Sequence, residues 1–342
     1  MTDLLGTLPP DLAGLLSDAP PGVELAAHPM LATLSDRRDF SDQWIFERKL
    51  DGVRILAVRE NGTVTLLSRS GRRVGDTYPE IVDALAAQEC ADFTVDGEIV
   101  AYAHGRTDFG LLQQRMGLTQ RWEVAASDVA VTYYVFDLLR LEGADTTRLP
   151  LRTRKSLLRR ALTFRPPLRF TTHRNAGGAD LLADACARGW EGLIAKRAAS
   201  RYRSRRAADW LKLKCARGQE FVIGGFTEPS GSRTGFGALL LGYHESGTLR
   251  YAGKVGTGYT YRTLLDLKAR LDELPAPRSP FADRVREPRV HWVEPRLVAQ
   301  VAFAEWTRDG MLRHPRFLGL RDDKEPSEVV RESVTGKERP VP

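Results

Sequence analysis

The sequence predicts an α+β domain with much antiparallel pairing, followed by a smaller domain built from short strands. From Trp44 to Lys214, short β-type runs alternate with helical patterns. Beyond Gly218 short strands recur with a single helix among them. A chain of 342 residues is long enough for two such domains.

In the first domain, placed at residues 30–216, apolar runs predict strands and longer periodic stretches predict helices. The strands are expected at Ile55–Val58, Val64–Ser68, Thr94–Val100, Val131–Phe136, Leu193–Lys196 and Leu211–Lys214, and the helices at Tyr78–Gln88 and Leu151–Thr163. The preceding residues 1–29 are rich in Pro and Leu and are expected to form an N-terminal arm or helix packed on this domain.

The second domain is placed at residues 219–330, with a C-terminal tail at residues 331–342. Its strands are expected at Glu220–Phe226, Gly237–Tyr243, Thr248–Lys254 and Leu297–Trp306, and its helix at Tyr261–Glu273. This spacing suits a five-stranded Greek-key β-barrel of the OB type. The Pro-rich stretch Pro275–Pro288 is expected to be a loop within it.

Charge and cysteine usage restrict the class of protein further. With 51 Lys plus Arg against 44 Asp plus Glu, the net charge is +7, which favours a polyanionic partner. Phosphate contact is favoured over a solvated loop for one basic cluster: Arg197, Arg201, Arg203, Arg205 and Arg206. The scattered Cys90, Cys186 and Cys215 predict neither a disulfide framework nor a zinc site and favour a reduced compartment. Without an apolar run of membrane-spanning length or a secretory signal, a soluble, cytoplasmic protein with no membrane partner is expected.

The most informative motif is Lys49-Leu50-Asp51-Gly52-Val53-Arg54. A lysine amine attacks phosphorus only when deprotonated, so a nucleophilic Lys49 would need a partly desolvated site or a nearby cation that lowers its pKa. Gly52 would let the backbone approach a ligand, and Arg54 could hold phosphate or ribose oxygens in a fixed fork. Taken alone, the motif is better explained as a strand end followed by a turn with solvated charges.

Further charged motifs follow in order along the chain. Ser68-Arg69-Ser70-Gly71 and Asp96-Gly97-Glu98 are both placed where a strand breaks into a turn, and Phe136-Asp137 follows an apolar run. Next come Glu191–Lys196 and Trp210–Lys214. In the last of these, strand alternation sends both lysines to one face, where they could cradle a phosphate.

This ordered set resembles the covalent nucleotidyltransferase superfamily, which comprises DNA ligases, RNA ligases and mRNA capping enzymes. The resemblance runs from about His28 to Lys324. It is closest to ATP-dependent DNA ligases, particularly the ligase module of bacterial end-joining proteins that work with Ku. That likeness rests on His28–Ala32, Gly231–Gly237 and Tyr251–Gly258. It implies a nucleotidyltransferase (adenylation) domain followed by an OB-fold domain.

The resemblance implies that Lys49 takes AMP from ATP and releases pyrophosphate. The other nucleotide contacts it implies are Glu47 to adenine, Arg54 and Arg69 to the ribose or phosphate, Phe136 stacked on the base, Arg206 as a further contact, and Lys212 and Lys214 on the α-phosphate. Phe136 would be placed in the core by its apolar run alone. Glu98 and Glu191 would be metal ligands for Mg²⁺ or Mn²⁺, Glu98 also lying in the nucleotide site.

In the second domain, the segment Gly319–Lys324 would orient the pyrophosphate through Arg321 and Lys324, with a solvated tail as the alternative. Because one site would serve every step, the domains are expected to move about a hinge near Ala216–Gly218.

The function implied is an ATP-dependent DNA ligase that seals 5′-phosphate/3′-hydroxyl breaks through a lysyl-AMP and a DNA adenylate, in repair or end joining. Its substrate would be nicked or broken double-stranded DNA. The protein would be a monomer, and Ku would be a candidate partner. An RNA ligase or capping-type enzyme is the alternative, and a non-catalytic nucleic-acid-binding protein a more distant one.

Overall fold

The computed structural model describes residues 3–215, 218–229, 234–307 and 309–332, and the chain divides into two compact units after Cys215. Three sequence predictions fall at least partly outside the described residues. They concern the hinge at Ala216 and Arg217, the first three residues of the Gly231–Gly237 stretch, and the tail beyond residue 332.

The first unit is a mixture of strands and short helices. Its strands are β1 (Ser17–Asp18), β2 (Leu31–Leu34), β3 (Trp44–Arg48), β4 (Val53–Glu60), β5 (Thr63–Ser68), β6 (Phe93–Ala103), β7 (Arg106–Thr107), β8 (Val131–Leu141), β9 (Ala144–Asp145), β10 (Leu168–Phe170), β11 (Gly192–Arg197) and β12 (Arg206–Lys214). Its helices are α1 (Pro10–Ala13), α2 (Gly22–Ala26), α3 (Pro79–Ala86), α4 (Phe109–Met116), α5 (Arg121–Ala125), α6 (Leu151–Ala161) and α7 (Gly178–Ala187).

Two sheets organise these strands. The larger follows the order β1-β9-β8-β6-β4-β5, with β10 beside β8 and β7 beside β6; the smaller follows β2-β12-β11-β3. Most pairs are antiparallel, and only β10 with β8 and β2 with β12 run parallel among those described. Leu56 and Phe136 of the larger sheet share a buried apolar cluster with Trp210 of the smaller one. The α+β class with antiparallel sheets is thus confirmed.

The N-terminal segment is built into this unit. Strand β1 pairs with β9, and leucines of the segment pack against the main core: Leu4, Leu5, Leu8, Leu12, Leu15 and Leu16. These contacts remove apolar side chains from water, which gives the Leu-rich opening a structural role.

Asp96-Gly97-Glu98 does not mark a strand end, contrary to the sequence prediction. Strand β6 runs straight through it, paired with β4 on one side and β8 on the other. Gly97 is needed there because a Cβ would overlap the Tyr133 ring and lie 2.6 Å from the Tyr134 carbonyl oxygen. Strand β8 likewise continues past Phe136, so both polar motifs lie inside the sheet.

A disulfide between Cys186 and Cys215 corrects the cysteine prediction. It joins α7 to the residue that follows β12, while Cys90 is a buried free thiol. Sequence spacing gave no sign of it, because the cysteines are 29 positions apart and the intervening chain folds back through β11 and β12 to bring them together.

The second unit is largely antiparallel β-structure. Its elements are β13 (Gly218–Thr227), β14 (Leu239–Glu245), β15 (Thr248–Val255), α8 (Tyr261–Asp272), β16 (Val290–Ala302), β17 (Glu305–Trp306), β18 (Leu312–Arg313) and β19 (Arg316–Leu320). Five strands form one sheet in the order β15-β14-β13-β16-β19. The Phe317 amide in β19 donates to the Thr257 carbonyl just after β15 (2.9 Å), which brings the two edges together in the barrel arrangement expected of an OB fold.

The fifth barrel strand, Arg316–Leu320, was not identified from the sequence. No helix within the described ranges is long and apolar enough to cross a membrane.

Candidate active site

The smaller sheet presents a charged face toward the larger one. Cross-strand register places Glu47 of β3, Ile194 of β11 and Lys212 of β12 in one row. The opposite face is apolar, with Leu211 and Leu213 buried in the cluster that includes α7. Lys212 and Lys214 therefore lie on one face of β12 and the leucines on the other, as strand alternation predicts.

Lys49 directly follows β3, at the end of the sheet where β11 begins. Its backbone N–H donates to the Gly192 carbonyl (2.9 Å), and Gly192 is cross-strand partner to Lys214. A Cβ at Gly192 would overlap the Leu213 carbonyl oxygen, so only glycine allows these strands to approach so closely. This brings Lys49, Glu191 and Lys214 to one place.

The Lys49 ammonium forms an ion pair with the Glu191 carboxylate, and both side chains are partly buried. Burial acts to lower the pKa of Lys49, but Glu191, then Asp51 and Glu98, outweigh it and raise the pKa above its ordinary value. The expected lowering is therefore not seen. In this arrangement the lysine is held as an ammonium, and the pair must open before the amine can attack.

Glu98 lies close beneath the Lys49 motif. It is the cross-strand partner of Arg54, and a Cβ at Gly52 would come within 3.0 Å of its Cγ and overlap the Ile99 carbonyl oxygen. Gly52 thus allows close packing against β6, a different role from the ligand approach expected of it. Glu98 and Glu191 are thus both close enough to Lys49 to act on its pKa.

Glu47 is buried between two lysines. Its Oε1 accepts from Lys155 Nζ (2.6 Å) and its Oε2 lies 2.7 Å from Lys196 Nζ. Burial alone would raise the pKa of Glu47, but Lys155 and then Lys196 outweigh it and lower the pKa. Burial lowers the pKa of Lys196. Glu47 acts to raise this pKa and Lys155 acts to lower it further, and the pKa stays below its ordinary value. Both Glu47 oxygens are engaged inside the protein.

Arg54 is also fixed internally. Its guanidinium forms a fork with the Asp96 carboxylate and donates to the Met30 carbonyl (3.2 Å), while the Tyr202 hydroxyl donates to Asp96 (2.6 Å). Burial acts to lower the pKa of Arg54, but Asp96 raises it. The predicted ribose or phosphate contact would therefore involve a side chain already held in place.

Two basic side chains lie over the Phe136 ring. Arg54 is 4.6 Å and Lys196 4.2 Å from its centroid, and the ring is 8% exposed. The ring packs in a buried apolar cluster, as its apolar run predicts, and stacking on the base stays a prediction.

Two further predicted site residues lie at the ends of strands in the first unit. Arg69 is in the turn after β5. Arg206 begins β12, six residues before Lys212, and donates to the Ala32 carbonyl (2.5 Å). Since a strand rises about 3.3 Å per residue, Arg206 lies at the opposite end of β12 from the lysines.

Arg321 and Lys324 belong to the second unit and follow β19. Arg321 forms a two-bond fork with Asp323 (both 2.8 Å), and Lys324 lies 3.4 Å from Glu220. Burial acts to raise the pKa of Asp323, but Arg321 lowers it. This segment is an ordered turn with internal ion pairs, so the solvated-tail alternative does not describe it.

Sequence reasoning missed Lys155 and assigned no role to Lys196. A signal was present in α6, where Leu151, Arg154, Lys155 and Leu158 occupy the i, i+3, i+4, i+7 positions of a core-facing stripe. Charged residues on such a stripe are buried only when paired, so this pattern predicts buried carboxylate partners. Asp137 is the partner of Arg154 and Glu47 that of Lys155.

A lysine directly after an edge strand of the smaller sheet, flanked by carboxylates and further lysines and followed along the chain by a five-stranded β-unit, defines the nucleotidyltransferase class. Two family descriptions match the sequence, "ATP dependent DNA ligase domain" at residues 29–214 and "ATP dependent DNA ligase C terminal region" at residues 232–324. The chain belongs to the ATP-dependent DNA ligase family.

Several known proteins are similar over most of the chain. The multifunctional non-homologous end joining protein LigD of Pseudomonas aeruginosa is 41% identical, covering 90% of this chain and 37% of that protein. The corresponding LigD of Mycobacterium tuberculosis H37Rv is 40% identical, covering 90% and 39%. A probable DNA ligase of Anaeromyxobacter dehalogenans is 33% identical, covering 95% and 67%. The chain therefore spans less than two fifths of the length of these LigD proteins.

One solved structure is similar in fold as well as sequence. It is described as mycobacterial DNA ligase D complexed with ATP and MES, with 37% identity, a TM-score of 0.64, and coverage of 90% of this chain and 99% of that one.

Proposed function

We propose that this chain seals 5′-phosphate/3′-hydroxyl breaks in double-stranded DNA through a lysyl-AMP on Lys49. The observation that supports this most directly is the position of Lys49, which is backbone-anchored to Gly192 and paired with Glu191 at the end of the charged sheet face. Family membership supports ATP as the nucleotide donor, and the relatives named for end joining support a role in DNA repair.

Three displacements at phosphorus account for the reaction. The Lys49 amine attacks the α-phosphorus of ATP, a P–N bond forms and pyrophosphate leaves. A 5′-phosphate oxygen of DNA then attacks the lysyl-AMP and expels the lysine amine. Finally the 3′-hydroxyl attacks the 5′-phosphorus of the DNA adenylate, closes the phosphodiester and expels AMP.

The other site residues position substrates and balance charge. Lys212 and Lys214 lie on the same sheet face as Glu47 and are suited to neutralise charge that builds on the α-phosphate. Phe136 and Glu47 border the region proposed for the adenine, and Arg69, Arg206, Arg321 and Lys324 remain proposed contacts.

Glu98 and Glu191 fit a magnesium or manganese ion. No group of three or more His, Cys, Asp or Glu that could hold a metal occurs within the described residues. Magnesium is commonly held by one or two carboxylates together with substrate phosphates, so a pair of glutamates beside Lys49 matches the requirement. When bound, such an ion neutralises phosphate charge.

Intact-protein mass spectrometry after incubation with ATP and Mg²⁺ tests the nucleophile. We expect an added AMP that is lost in Lys49→Ala, that is absent with GTP, and that disappears when pyrophosphate is added. Sealing of nicked DNA in preference to nicked RNA should follow. A protein that gains no AMP with Mg²⁺ or Mn²⁺, and releases none to pyrophosphate, would support the non-catalytic binding alternative.

A further inference from the structure

An arginine-rich cavity of about 540 Å³ lies in the first unit, at the other end of β11 from Lys49. We call it the Arg pocket. Its walls come from the connection between β11 and β12, the start of α6 and the residues before β3. Its charged lining side chains are Asp42, Arg152, Arg197, Arg201, Arg203 and Asp209.

The arginines of this pocket keep most of their bonding capacity for a ligand. Arg197 and Arg203 share Asp209, at 3.8 and 3.4 Å, and about half of each side chain is exposed. Arg152 and Arg201 are exposed and have no side-chain hydrogen bond or ion pair within the part of the chain that the structure describes. Four guanidinium groups thus face two carboxylates, which leaves the pocket positively charged.

The backbone beneath these arginines is firmly held. The Ser200 carbonyl accepts from the Leu151 amide and from Arg154 Nη1 (both 2.9 Å), and the Arg152 amide donates to the Ala198 carbonyl (3.0 Å). Because Arg154 is itself fully buried against Asp137, the connection is tied to the core. A fixed backbone presents the guanidinium groups with little loss of freedom on binding.

We propose that the Arg pocket binds the sugar-phosphate backbone of the DNA duplex at a distance from the break, an inference that rests on the proposed ligase function. Arginine recognises phosphate through a planar fork, and an open cavity of this size accommodates more than one phosphate group.

The spacing along β11 predicts where the contact falls. Six residue steps separate Glu191 from Arg197, or about 20 Å at about 3.3 Å per residue. Duplex DNA rises about 3.4 Å per base pair, so the contact lies roughly six base pairs from the break. The pocket therefore engages only duplexes whose arm reaches that far.

The test compares the binding of R201Q/R203Q and wild type to two nicked duplexes. In one duplex both arms are about 12 base pairs long, which is beyond the distance of the proposed contact from the break. In the other, one arm is shortened to about 4 base pairs, which is too short to reach that contact. The matched control is R188Q, which removes an exposed arginine of the same unit that is paired with Asp184. Binding is measured by fluorescence anisotropy across a salt series.

On the long duplex, R201Q/R203Q should bind several-fold more weakly, with the slope of log affinity against log salt reduced by about two for two lost phosphate contacts. On the duplex with the relevant arm shortened, variant and wild type should bind alike, and R188Q should match wild type throughout. An unchanged slope, or an equal loss on short and long arms, would overturn the proposal.

Self-adenylation separates this inference from the proposed function. R201Q/R203Q should take up AMP from ATP as wild type does, because the Arg pocket is remote from Lys49. A loss of adenylation in R201Q/R203Q with duplex binding intact would assign the pocket to the nucleotide and refute the DNA contact. If wild type forms no adenylate, the ligase function fails, while arm-dependent duplex binding would still report on the pocket.

Discussion

Lys155→Met should destabilise the first unit strongly, because Lys155 joins three parts of the site. Its ammonium donates to Glu47 Oε1 (2.6 Å), the Thr171 carbonyl (2.9 Å) and the Phe136 carbonyl (3.4 Å), and the residue is 2% exposed. Methionine nearly fills the same volume but donates to none of them. Among the described residues, Glu47 would then keep only Lys196 as an ion-pair partner.

The size of the effect follows from burial. Removing one partner of a buried ion pair costs about 3–5 kcal/mol when the remaining charge is left unpaired, and about 3 kcal/mol is expected here because Lys196 still pairs with Glu47. A unit of this size loses about 2–4 °C of melting temperature per kcal/mol, so the melting temperature should fall by roughly 6–12 °C. Thermal unfolding followed by circular dichroism measures this directly.

Arg188→Met is the matched control, since it removes an exposed i,i+4 ion pair with Asp184 in the same unit. Such pairs contribute about 0.3–0.5 kcal/mol, so its unfolding should nearly match wild type. Lys155→Arg should recover part of the lost stability. If Lys155→Met unfolded at the same temperature as Arg188→Met, the reasoning about the buried pair would be refuted.

Three other perturbations give distinct outcomes. Gly97→Ala should lower the free energy of unfolding by about 1–3 kcal/mol, measured in urea, because its methyl group would overlap the Tyr133 ring; a neutral result would show that β6 and β8 can separate there. Folding lowers the pKa of Glu47, so its ionised carboxylate contributes fully to stability above pH 4.5, the ordinary carboxyl value. This contribution is lost as pH falls through the lowered pKa, and the urea midpoint of unfolding should therefore drop mainly below pH 4.5. Alkylation of protein denatured without reductant should modify one thiol, that of Cys90, and all three cysteines after reduction; three modified without reductant would contradict the disulfide.

Local patterns predicted much of the fold and part of the site. Strand alternation placed Lys212 and Lys214 on one face and the leucines on the other, since a period of two depends only on neighbouring residues. The strand end before Lys49 was considered only as the alternative to a catalytic motif, and β3 does end directly before it. The carboxylates beside it could be named from motif order, but their pairing with the lysine required the fold.

Long-range pairing explains most of what the sequence did not predict. Glu47 and Lys155 are 108 residues apart, and no local pattern links them. Asp96 was expected in a turn because charged side chains are rare in the middle of a strand. Arg54 of the neighbouring strand β4 forms an ion pair with the Asp96 carboxylate, which allows it to be buried within β6. The raised pKa of Lys49 likewise depends on Glu191, which only the sheet brings close.

The anchoring of Lys49 limits how far its side chain can travel. Carrier proteins that move a covalently attached group between distant centres need a mobile attachment point. Here the hydrogen bond from the Lys49 backbone to Gly192 holds the attachment point against the neighbouring strand. A nucleotide bound to this lysine would stay where it was transferred, so the acceptor strand must be delivered to it rather than the reverse.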